Sequence, residues 1–230
     1  MDIKPLGVVM SVRDFPIAWY WIKRACKENK VDLLIIKNMT HDKAHEKAKQ
    51  FFLEHKEYTH LIIINEDIIV TPSHLKLLLE DIKMYPDSVV GGYAFPVSKR
   101  YPKTNLSLTP VRGYVVFADQ YRFLDIEDVI TRKDIDVLVK AFFNGNTLTA
   151  YPRYVVEKLS FKPYKWVYDS TLGIRTKRGI MFDLQISKEL ERMNIPLLVD
   201  LRLMVIHFGD TRRFIDLKGK KEYTEFIKYS

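Results

Sequence analysis

Three adjacent polar residues, Asn65-Glu66-Asp67, end the apolar run "THLIIIN" and precede "IIVTP". Hard carboxylate oxygens at a strand end can hold Mg2+ or Mn2+, and such an ion can bridge phosphates. The same acids could equally favour the amino end of the following helix, and a short acid cluster is a weak motif alone. Asp183 opens "FDLQISKELERM" and His207 sits in "MVIHFG". Asp183 could take a proton from a hydroxyl or complement a helix dipole. His207 could donate a neutral nitrogen to a metal, or be a core histidine bonded to backbone.

Basic residues crowd near these positions. "VRD" follows the first apolar run, "GIRTKRG" precedes Asp183 and "GDTRRF" follows His207. Arginines there could stabilise the charge of a departing diphosphate, or form a solvated basic face. With a glycine at each end, "GIRTKRG" could be a lid over a ligand. Neither G-x-G-x-x-G nor G-x-x-x-x-G-K-[ST] is present, so any phosphate must be gripped by other means. Gly91, Gly92 and Gly145 fit tight packing, bulges or the close approach of a sugar to backbone. Trp166, in "KPYKWVYDS", fits either a sugar-stacking platform or core packing.

The elements that must position these groups follow from periodicity. "LGVVMSV" (6–12), "DLLIIKN" (32–38), "HLIIIN" and "SVVGGYAF" (88–95) read as strands. Between the first two, Ile17, Trp21, Ile22 and Ala25 mark one face of a helix. Ala44, Ala48, Phe51 and Phe52 mark a second helix over 41–56. Thr71-Pro72 reads as an N-cap with proline in the first turn, with Leu75, Leu78, Leu79 and Ile82 as the stripe behind it. This alternation implies a parallel, doubly wound sheet over roughly the first hundred residues. Its ligands bind at the carboxyl ends of the strands, where the acidic cluster stands.

The later part is strand-rich. A hairpin turning near Ala118-Asp119, strands in "IDVLVKAFFNGNTLTAY" and a short helix at Pro152 are expected. A helix over 182–193, with apolar residues at 182, 186, 190 and 193, and one or two short strands in "PLLVDLRLMVIHFGD" follow.

Composition sets the bounds. The chain has 230 residues, 47% of them hydrophobic, enough for one full core. Its net charge of +8 calls for an anionic partner. One cysteine, Cys26, excludes an internal disulfide and fits a cytoplasmic location. The longest apolar runs are far short of a membrane span, and "MDIKPLGVVMSVRDFP" does not read as a signal peptide.

On these motifs the sequence resembles the GT-A fold glycosyltransferases, especially their inverting, family-2-like branch. Asn65-Glu66-Asp67 matches the family's Asp-x-Asp motif, with Asn in the first position. Asp183 and His207 match, in order and spacing, a catalytic base followed two dozen residues later by a metal-binding histidine. Phe182 stands where the family has a glutamate. "FFNGNTLTAYPRYVVEKL" resembles the segment beside the acceptor. The likeness runs from the first strand to about residue 213.

The resemblance implies a single GT-A domain over 1–230, Rossmann-like and α/β with a mostly parallel central sheet. Residues 1–97 would form the nucleotide-binding half, 98–213 the acceptor and catalytic half, and 214–230 a carboxy-terminal extension. It implies a metal-dependent, hexosyltransferase-type enzyme that moves a sugar from a nucleoside-diphosphate-sugar, UDP or GDP, to an acceptor hydroxyl of a glycan, protein or lipid-linked molecule. Asp67 and His207 would bind Mn2+ or Mg2+, and Asp183 would be the base. Ser11, Arg13, Asn38, Asn65, Glu66, Arg212 and Arg213 would hold the donor, with Asp42 or Lys43 able to share the nucleotide end. Gly92, Gly145 and Trp166 would face sugar or acceptor.

A nucleotidyltransferase of related fold is the alternative, although "SVRDFP" is a poor match for the Gly-rich loop such enzymes carry. A nucleic-acid-binding protein, suggested by the charge and thirteen tyrosines, lacks any reader motif. The basic and apolar tail "RRFIDLKGKKEYTEFIKYS" could pack on the core or make peripheral contact with an anionic membrane.

Overall fold

The computed structural model describes residues 3–11, 15–96, 117–118, 122–123, 138–161, 180–207 and 219–230. β-Branched and aliphatic runs form the first strands: β1 (Pro5–Ser11), β2 (Asp32–Lys37) and β3 (His60–Asn65). Both faces of these strands are covered, so alternate residues enter opposite cores. Leu6, Val8, Leu34, Ile36, Leu61 and Ile63 face one cluster, while Val9, Leu33, Ile35, Ile62 and Ile64 face the other.

Helix α1 (Pro16–Glu28) buries Ala18, Trp19, Ile22, Ala25 and Cys26. The expected stripe is therefore corrected: Ile17 is exposed and Trp21 only half-buried. Two apolar stripes at helical spacing overlap on this helix, and the sheet accepts only one. Helix α2 (His41–Glu54) buries Ala44, Ala48 and Phe52 on the opposite face of the sheet. The two-residue β4 (Ile68–Ile69) precedes α3 (Pro72–Met84), whose Leu75, Leu78 and Ile82 join the core beside α1. Thr71 caps α3. Its Oγ1 accepts from the His74 amide at 3.3 Å, and His74 Nδ1 accepts from the Thr71 amide at 3.3 Å.

Beyond β5 (Val89–Pro96), a hairpin of β6 (Phe117–Ala118) and β7 (Arg122–Phe123) pairs Ala118 with Arg122. Then come β8 (Leu138–Phe143), β9 (Leu148–Pro152), α4 (Arg153–Lys158), α5 (Ile180–Arg192), β10 (Leu197–His207) and β11 (Tyr223–Ile227). Ile186 and Leu190 of α5 are buried and Met193 packs against the same core, at the expected spacing.

Among the described residues the strands form one sheet ordered β11-β2-β1-β3-β9-β5-β10-β8-β6-β7, with β4 paired to the end of β10. The sheet is mixed, which corrects the mostly parallel expectation. β1, β2 and β3 are parallel, as are β5 and β10. β9 runs antiparallel between β3 and β5 and separates them. Periodicity reports which residues are buried but not which strand lies beside which. β10 is a single long strand, with a register shift between Val199 and Met204.

The tail packs on the core. β11 pairs antiparallel with β2, and the buried Asp32 carboxylate anchors its far end. Asp32 accepts from the amides of Tyr229 (2.6 Å) and Ser230 (2.9 Å), and from the hydroxyls of Ser230 (2.8 Å) and Tyr58 (2.7 Å). Among the described residues no helix is long and apolar enough to cross a membrane.

Candidate functional site

β1, β2, β3, β5 and β10 all point their carboxyl ends to one edge of the sheet. β3 ends at Asn65, and Glu66 and Asp67 form a tight turn into β4. β4 leaves β3 and pairs with the end of β10, placing Ile68 opposite His207. Ile68 and Val70 are fully buried and hold that turn down. In consequence Asp67 Oδ1 lies 3.2 Å from His207 Nε2. Their side chains keep 15% and 20% of their surface exposed, so the pair is sheltered yet open to a ligand. A carboxylate oxygen suits Mn2+ or Mg2+, and an imidazole nitrogen beside it favours a transition ion such as Mn2+ over Mg2+. No third His, Cys, Asp or Glu joins them among the described residues, so other ligands would have to complete a coordination shell.

The amide of Asn65 donates to Thr147 O at 3.1 Å, which brings the 144–147 turn against the acidic turn. That turn is polar and internally bonded. Asn144 Nδ2 donates to Gly92 O (3.1 Å) and Thr149 Oγ1 (2.8 Å), and Asn144 Oδ1 accepts from the Asn146 amide (3.1 Å). Gly145 has φ +68° and Asn146 φ +50°, a left-handed pair that suits glycine and asparagine. A side chain at Gly91 would strike Asn144 Nδ2 at 2.5 Å, and one at Gly92 would strike Leu203 O at 2.5 Å. Packing alone therefore demands glycine at both positions.

Asp183 lies in the first turn of α5. The residue keeps part of its surface, but atoms crowd its carboxyl, and burial pushes it up to about 7. Its charge is felt by the buried Tyr151, whose hydroxyl donates to Asn146 Oδ1 at 2.6 Å. Burial, then Asp183, raise that phenol well above its ordinary value. Asp183 thus neighbours a tyrosine bonded to the 144–147 turn. Asn144, Asn146 and Tyr151 escaped the sequence reading; two asparagines flanking a glycine were the available signal.

Ser11 is buried at the end of β1, opposite Lys37, whose Nζ lies 4.5 Å from the Trp19 ring centroid. Asn38, at φ +61°, donates its amide to Ser11 O at 2.9 Å and its Nδ2 to Lys221 O at 2.9 Å. Asn65 and Glu66 are half-buried and Lys43 is exposed. Arg13, Trp166, Arg212, Arg213 and the "GIRTKRG" stretch lie outside the described residues, as does the side chain of Asp42.

No family model matches the chain, and no curated protein matches it. Solved structures do. GalNAc-T7, solved with UDP, GalNAc and Mn2+, aligns with a TM-score of 0.60 at 11% identity over 91% of this chain. The fold is GT-A-like. The aligned region is 44% of the GalNAc-T7 chain, so this protein spans less than half of that neighbour's length. A197 from STIV aligns with a TM-score of 0.53 at 17% identity, covering 93% of this chain and 98% of that one. At such identities the likeness concerns the fold alone. In open α/β sheets ligands bind outside the carboxyl ends of the strands, the edge at which Asp67 and His207 meet.

Proposed function

We propose that the chain is a metal-dependent glycosyltransferase that moves a sugar from a nucleoside-diphosphate-sugar to an acceptor hydroxyl. The observation that carries this reading is the 3.2 Å approach of Asp67 Oδ1 to His207 Nε2, across residues distant in sequence, at the carboxyl edge of the sheet. Asp67 and His207 would hold Mn2+ or Mg2+, and the bound ion would offset charge developing on the leaving diphosphate. Asp183 would take the acceptor proton, since a carboxyl near 7 is a usable base at neutral pH. Ser11 and Asn38, at the ends of β1 and β2, would serve ribose and base, and Asn65 and Glu66 would hold the donor beside Asp67. Transfer with inversion follows if Asp183 activates the hydroxyl opposite the leaving group.

Isothermal titration with UDP and with GDP, each with and without Mn2+, tests the reading. Binding of one nucleotide is expected to tighten with Mn2+, and Asp67→Asn or His207→Ala should remove the metal-dependent part, a loss of about tenfold or more. No binding to either nucleotide would overturn the proposal. Release of pyrophosphate in place of a nucleoside diphosphate, in a screen of UDP-, GDP- and dTDP-sugars, would move the protein to the nucleotidyltransferases.

A further inference from the structure

The solvent side of α1 carries a second apolar stripe that the core does not use. Ile17 is 61% exposed and Tyr20 58% exposed, with the half-buried Trp21 beside them. The Tyr20 and Trp21 rings meet edge to face at 5.5 Å. The following turns are basic: Lys23, Arg24 and Lys27 are exposed. The acid among them, Glu28, is neutralised by Arg24 Nε at 2.6 Å. Helix α3 packs beside α1, and its own exposed residues include Lys76, Lys83 and Met84 with the acid Glu80.

We infer that this face docks on an anionic lipid surface. An aliphatic residue and two amphipathic aromatics beside a cluster of cations are the composition of a helix lying in a bilayer interface. Such docking does not need a spanning segment. The charge argues against a second copy of the chain, because facing α1 helices would set Lys23 and Lys27 against like charges. The ring geometry makes Trp21 a poorer platform for a base, because the Arg24 guanidinium, 5.4 Å from its centroid, already covers one ring face. Since α1 follows β1, its exposed aromatic turns lie toward the carboxyl edge of the sheet. Docking there turns that edge toward the lipid headgroups.

Flotation of the full chain with phosphatidylcholine vesicles, with and without phosphatidylglycerol, tests this without reference to catalysis. The chain is expected to float with the anionic vesicles only, and to be released by salt. The exposed substitutions Ile17→Asn with Tyr20→Ser, and separately Lys23→Glu with Lys27→Glu, should each weaken partitioning about tenfold while leaving the circular dichroism unchanged. Failure of the wild type to float, or flotation of both variants like the wild type, overturns the inference. So does a dimer in gel filtration that the Ile17 and Tyr20 changes dissolve, or tighter binding to a random oligonucleotide than to the vesicles.

Discussion

Asp183, the proposed base, ties the chemistry to acidity. Burial holds its carboxyl up to about 7, so the group keeps its proton well above the ordinary carboxylate range. A base must be ionised to act, so kcat/KM should fall about tenfold per pH unit below about 7 and level off above it. The stability sign is the reverse. The folded state favours the protonated form, so this contribution is complete below the ordinary carboxylate pKa and is lost as pH rises through about 7. Asp183→Asn should remove the acid limb and lower kcat by about 100- to 10,000-fold, with nucleotide affinity by titration unchanged. An unchanged pH profile would assign the base elsewhere.

Elements impose their own conditions, and the junction of β5 with β10 is the most exacting. β10 takes extra residues between Val199 and Met204 while β5 advances from Gly91 to Tyr93, and the bulge fills the space beside Gly92. Because the obstruction is the Leu203 carbonyl and not a flexible side-chain tip, Gly92→Ala should cost about 1–3 kcal/mol, read as a lower urea midpoint at unchanged slope. The same bulge carries Asp200, gripped by Arg202 through Nη2 at 2.6 Å and Nε at 3.0 Å, with Arg202 also 3.3 Å from Asp81 of α3. Both carboxylates are fully buried. Burial and then the Asp200 carboxylate push Asp81 up to about 8, against the pull of Arg202. Asp81 therefore favours the fold while protonated, and stability should decline as pH rises through about 8. Asp81→Asn, similar in shape to the protonated acid, should flatten that decline in thermal melts run from about pH 4 to about pH 8, the interval between the ordinary and the raised value.

Over the whole molecule, contacts across the chain decide what local pattern could not. The first three strands and α2 and α3 were legible because their apolar residues recur at periods of 2 and 3.6. The α1 stripe was misassigned because two such patterns share one helix. The antiparallel β9 and the pairing of β11 with β2 leave no mark in periodicity, and Asp32, a buried acid inside an apolar strand, reads from sequence as a strand-start polar residue. At the proposed site, motif order singles out Asp67, Asp183 and His207, and folding brings the first and last of these together, while the contacts of Asn144, Asn146 and Tyr151 are made only on folding. Asp32 itself is tested at this scale. Burial raises its carboxyl, but the Tyr229 amide, the Tyr58 hydroxyl and the Ser230 donors together hold it below the ordinary value. Its contribution is thus present at neutral pH and lost in acid. Asp32→Ala would strand the buried Tyr58 hydroxyl and take the acceptor from the part-buried Tyr229 and Ser230 donors, and a loss of about 3 kcal/mol is expected, read as a Tm lower by about 6–12 °C. Faster hydrogen exchange along 223–230 should accompany it.

The insertion of β9 also governs how a nascent chain can assemble. As the polypeptide leaves the ribosome, β1, β2 and β3 can zip together, yet the outer flank of β3 has no mate until Leu148–Pro152 has been synthesised. β2 waits longer still, for Tyr223–Ile227. Both vacant flanks are rows of unpaired backbone N–H and C=O groups on strands with apolar side chains, the kind that recruits strangers. Translation speed and holdase chaperones, more than final stability, would then set the yield of active molecules.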